Sequence, residues 1–137
     1  MQLLRYLYAA AAALFVAAVA VQVFLAGLFL FADGSRETHI EFGYLLTLVP
    51  IVVLALATAA RPGWGTFGLT ALLLGATWTQ AILPWFHEAA PFVAALHPVN
   101  ALLIFGLGTL VTRRALALAR ATTPRGAAEA KRASSGI

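Results

Sequence analysis

Apolar residues run through this chain in four long stretches separated by short polar breaks: about Leu3 to Phe31, Thr38 to Ala60, Trp64 to Trp85, and from Phe92 or Pro98 to about Leu118. Each is long enough to cross about 30 Å of hydrocarbon as a helix. The connections after the first two stretches span only a few residues, so neighbouring helices run antiparallel. The predicted fold is an all-α membrane protein, an up-down four-helix transmembrane bundle occupying residues 1–120. Residues 121–137, with Thr122, Pro124, Gly126, Ser134 and Ser135 among basic side chains, are expected to form a disordered basic cytoplasmic tail.

Polar residues are scarce inside the stretches, and two pairs recur at one spacing. Gln22 precedes His39 by 17 residues, and Gln80 precedes His97 by the same number, the pairs being offset by 58. At that offset Leu14, Ala18 and Leu25 match Leu72, Ala76 and Leu83. With the glutamines these fall at helical steps of three and four, on one face, which points to an internal two-helix repeat.

Composition agrees with the span pattern: 62% of residues are hydrophobic, 10% charged, and mean hydropathy is +0.91. The sequence pI of 10.4 reflects where the basic residues stand. Arg5, Arg61, Arg113, Arg114, Arg120, Arg125, Lys131 and Arg132 fall on one side of the four-span arrangement and Arg36 alone on the other. The asymmetry predicts a multi-pass protein of the cell's inner (plasma) membrane with both termini cytoplasmic. The basic surplus is thus a topology signal, with the lipid bilayer as partner and no nucleic acid. Arg5 and Ala18-Val19-Ala20 resemble a signal peptide and its cleavage site, but the apolar run continues to Phe31, so a retained helix is expected. The chain has no cysteine, which excludes disulfides, thiolate ligands and covalent c-type heme attachment.

Thr38 to Glu41 fits a capping box, with Thr38 as N-cap and His39 in the first turn. Pro98 suits the first helical position and leaves His97 at the cap; alternatively the helix starts near Pro91 and Pro98 bends it. Both histidines then lie near the outer ends of parallel helices, at one depth. Gly43 and Ala101, each four residues on, leave room on the same face for a planar group, and Pro50 is placed to kink the second span. Neutral imidazoles from two helices of a bundle are a common source of two axial ligands to heme iron, and a helix N-terminus favours the neutral ring. Arg36, three residues before His39, is placed to pair with a propionate. Gln22 and Gln80 are expected to line the site from the interior, not as iron ligands but hydrogen-bonding each other, backbone carbonyls, a cofactor edge or a trapped water. His87, which follows Trp85 and Phe86 and has Phe29 at the matching position, reads as an interfacial side chain.

These residues carry a resemblance. Val21 to Gly27, His39 with Gly43, Gln80, and Leu96 to Leu103 together resemble a group of small four-span bacterial membrane proteins of unassigned function. More distantly, the pattern is similar to one half of heme A synthase, a four-helix bundle with a histidine pair for b-type heme. That resemblance implies His39 and His97 as ligands. Ser35 and Arg36 stand where the synthase motif has a glutamate a turn before its histidine, and Ile40 stands where it has an arginine. What the resemblance implies is accordingly a heme-holding bundle and not synthase chemistry.

The resulting expectation is a small b-type cytochrome holding one heme b between His39 and His97 near the outer face, for electron transfer to a redox partner or for heme handling. The alternative is a non-heme accessory or assembly subunit of a larger membrane complex. The spans contain no mid-membrane carboxylate for a transporter and no nucleophile with a base beside it, so an enzyme is not favoured.

Overall fold

The computed structural model describes residues 1–121, and all of the regular structure among them is helical. The first span is α1 (Gln2–Phe31). The second is α2 (Arg36–Leu46) followed by α3 (Val49–Ala60). The third is α4 (Trp64–Ile82), extended by a 3-10 turn at Leu83–Phe86, and the fourth is a short turn α5 (Pro91–Ala94) leading into α6 (Leu96–Ala121). Four helices are therefore long and apolar enough to cross a membrane: Gln2–Phe31, Arg36–Ala60, Trp64–Phe86 and Pro91–Ala121. The predicted tail lies outside the described residues except for Ala121, which is helical.

The helices pack along seams with steps of four and three, the spacing that keeps one stripe of a helix against its neighbours. On α1 the seam is Tyr8, Ala12, Phe15 and Val19; on α2 and α3 it is Leu46, Pro50, Val53, Ala57 and Ala60; on α4 it is Thr70, Leu73 and Thr77; on α6 it is Ile104, Gly108, Val111, Ala115 and Ala119. Leu14 and Leu72, assigned to the inward face by the repeat, are instead exposed, while Ala76 and Leu83 are buried. The true seam on α1 is rotated by about one residue from the face that the apolar matches suggested.

The start of α1, the end of α3 and the end of α6 sit at one end of the bundle. Gln2 Nε2 donates to the carbonyl of Ala119 at 3.0 Å, and Arg5 Nε to that of Ala60 at 3.5 Å. Buried between α1 and α4, the Tyr8 hydroxyl meets Thr70 Oγ1 at 2.6 Å. Thr70 also donates to the Thr66 carbonyl, so Tyr8 is the donor of the pair. Close approach of α1 and α6 depends on Gly108, because a Cβ there would come within 2.9 Å of Val16 Cγ2.

One helix start differs from expectation, and the fourth span begins at Pro91, the second of its two expected starts. Ser35, not Thr38, caps α2: its Oγ accepts from Thr38 N at 3.1 Å and donates to Glu37 Oε2 at 2.9 Å. Serine offers the same capping chemistry as threonine three residues earlier, so the helix gains nearly a turn and His39 becomes its fourth residue. His97 and Pro98 lie inside the first turn of α6, behind the short turn α5. Proline is tolerated there because the first-turn N–H groups have no intrahelical acceptor.

Pro50 does interrupt the second span. It has no N–H for the Leu46 carbonyl, and the chain tightens before it: Thr47 N bonds to Tyr44 O, Leu48 N to Leu45 O and Ile51 N to Leu48 O. Because Ile51 N bonds to Leu48 O, the Thr47 carbonyl lacks its usual helical donor. The Trp78 indole N–H from α4 supplies one at 3.3 Å. Trp78 thus has a specific partner beyond the general aromatic role that the sequence suggests.

Candidate functional site

The four seams continue past the packed region into polar residues. Gln22 follows Val19 on α1 by three, Gln80 follows Thr77 on α4 by three, and His39 and His97 precede Gly43 and Ala101 by four on α2 and α6. Spacing alone therefore turns all four side chains toward the bundle interior. There the α2 half of the second span packs on α1 and α3, and a cavity of about 750 Å³ opens between the helix ends. Its lining includes Gln22, His39, Gly43, Gln80, His97 and Arg36. Ala101, predicted to share this surface, is not part of it. His87 is, from an exposed position where its Nδ1 approaches Pro84 O at 3.1 Å and its Nε2 lies 3.7 Å from Glu88 Oε1.

The 17-residue spacing has a structural meaning. His39 Nδ1 lies 3.3 Å from the backbone carbonyl of Gln22, and His97 Nδ1 lies 3.1 Å from that of Gln80. A carbonyl can only accept, so each contact calls for a proton on Nδ1, and the neutral form of each ring then has its lone pair at Nε2. Metal-binding histidines are commonly oriented by this kind of outer hydrogen bond. The two ring centroids are 6.4 Å apart, with ring planes at 69°.

The glutamine side chains, which the sequence could only place inside, take different partners. Gln22 Nε2 donates to the His39 carbonyl at 2.8 Å and lies 3.4 Å from His39 Nε2. Its Oε1 is buried and accepts no hydrogen bond. Gln80 Oε1 accepts from Asn100 Nδ2 at 2.8 Å, and that amide also donates to the Ala76 carbonyl at 2.9 Å. Asn100 is a residue that sequence reasoning missed; its place three after His97, on a helix with few polar side chains, was the available signal. Gly43 makes room for an amide: a Cβ there would lie 2.8 Å from Gln22 Nε2.

Among the described residues, no group of three or more histidine, cysteine, aspartate or glutamate side chains gathers as a metal site. A site here would have to rest on the histidine pair and a cofactor that brings its own ligands. No curated protein and no solved structure matches the chain, so the similarity to half of heme A synthase gains no support from them. A family of unknown function (DUF6220) matches residues 22–90, which include Gln22, His39, Gly43 and Gln80 and stop short of His97. The chain belongs to that family.

Proposed function

We propose that this protein is a small b-type cytochrome that holds one heme between His39 and His97. The observation that carries this reading is the pair of imidazoles, each tied at Nδ1 to a backbone carbonyl, with ring centroids 6.4 Å apart. A separation of this size would let one nitrogen from each ring hold the iron of a heme between them. The cavity volume of about 750 Å³ falls within the range of about 300–1,000 Å³ usual for ligand sites. The residues present fit the group: two neutral nitrogen donors, mainly apolar walls, and Arg36 on the lining as a cation for a propionate.

When bound, the heme would supply one-electron redox chemistry. The chain's own residues do the rest. The Gln22 and Gln80 carbonyls fix the tautomer and aim of the rings, and the apolar walls limit water at the site. The role is electron exchange with a redox partner, or heme handling, in the inner membrane. The basic residues near the chain termini support a cytoplasmic location for that end and an outer location for the histidine end. The matched carbonyl–imidazole bonds at a 58-residue offset support descent of the two halves from one duplicated helix pair.

Expression with heme supply, purification in mild detergent, and visible spectra of the oxidised and dithionite-reduced protein test the reading. A b-type reduced spectrum that changes on substitution of either His39 or His97, and not on His87→Ala, is expected. A colourless protein ends the proposal and leaves the non-heme accessory subunit in its place.

A further inference from the structure

The two halves of the site share the anchoring of the rings and differ in what the glutamine amides do. Asn100 holds the Gln80 amide through its Oε1 at 2.8 Å. At the matching position of the first half stands Phe42, which has no polar group to restrain Gln22. The Gln22 amide instead leans over His39, with one N–H on the His39 carbonyl at 2.8 Å and Nε2 at 3.4 Å from His39 Nε2. Gly43 permits this, since a Cβ would intrude to 2.8 Å of that amide; at the matching position Ala101 carries a Cβ.

The consequence lies in the lone pairs. With Nδ1–H given to a carbonyl, each imidazole has one nitrogen lone pair for a metal, at Nε2. On His39 the second amide hydrogen of Gln22 competes for it. Among the described residues, no hydrogen bond falls on His97 Nε2. The competing amide also leaves its own Oε1 buried without a donor, so its present position is not locked by a full set of hydrogen bonds.

We infer that Gln22 competes with the heme iron for His39 Nε2, making His97 the fixed axial ligand and His39 the exchangeable one, whose place a small neutral diatomic of the carbon monoxide class takes. The inference rests on the heme reading above. In the exchange His39 gives up one iron–nitrogen bond, the incoming ligand forms one bond to iron, and the Gln22 amide takes back the imidazole lone pair. No proton or electron moves.

The test uses the full chain loaded with heme in mild detergent, reduced with dithionite and titrated with carbon monoxide while the visible spectrum is followed. Wild type is expected to bind it. Gln22→Leu removes the competitor and Gly43→Ala pushes the amide aside through the flexible end of one side chain, so each lowers the apparent affinity by roughly fivefold, the weight of one neutral hydrogen bond. His39→Ala retains heme in a five-coordinate, carbon monoxide-binding form, whereas His97→Ala loses most of it. A heme-loaded wild type inert to carbon monoxide, unchanged affinity in both Gln22→Leu and Gly43→Ala, or equal heme loss from the two histidine variants overturns the inference and leaves the heme reading standing. A colourless wild type overturns both.

Discussion

The end of the bundle where Gln2 meets Ala119 and the end that carries the histidines are built on the same four helical seams and filled differently. At the first, Tyr8, Ala12, Phe15, Val53, Ala57, Leu73, Val111 and Ala115 are fully buried. At the second, the seams carry Gln22, His39, Gln80 and His97, and a cavity takes the place of a core. Lipid is as apolar as leucine, so helices associate in a bilayer through close packing, small residues and hydrogen bonds rather than through escape from water. The packed end meets that requirement with alanines and Gly108 on facing stripes. The histidine end does not, so its order depends on a few polar contacts and on whatever fills the cavity.

That contrast can be broken by substitution. Phe15→Ala empties a fully enclosed position and is expected to lower stability by about 3 kcal/mol, read from reversible unfolding in mixed micelles. Gly108→Ala comes next, at about 2 kcal/mol, because Val16 is β-branched and has little rotamer freedom to yield to the new methyl; loss of helical signal on heating in detergent reports it. Tyr8→Phe deletes one buried interhelical hydrogen bond and should cost about 1 kcal/mol in the same measurement. Asn100→Ala, at the histidine end, removes two contacts that are only partly buried and is expected to cost about 0.6 kcal/mol without cofactor. An Asn100→Ala loss as large as that of Phe15→Ala would erase the distinction between the two ends.

The sequence makes the four spans legible because a run of apolar residues longer than a bilayer is thick has few other readings. It also brings out the Gln–His spacing, though not its physical basis. The bond that repeats involves the glutamine's main chain, which any residue could supply, so the side-chain identity was a tag for the position and not the contact itself. Gly43 illustrates the limit further. Its spacing from His39 puts it on the right face, but only coordinates show that the room it leaves is taken by Gln22. Capping at Ser35 rather than Thr38 was a choice between two adequate hydroxyls, which local sequence cannot resolve. Asn100 escaped notice because it has no counterpart in the other half, where Phe42 stands.

The break before Pro50 stands at one end of a helical arm that carries His39 near the other, so a bend there would act as a pivot. Between Thr47 and His39 the helix is about 12 Å long, so a change of about ten degrees at the pivot sweeps the His39 ring through about 2 Å. That displacement is comparable to a metal–nitrogen bond length of about 2 Å. The Trp78 indole, bonded to the Thr47 carbonyl at the pivot itself, ties that end of the arm to α4.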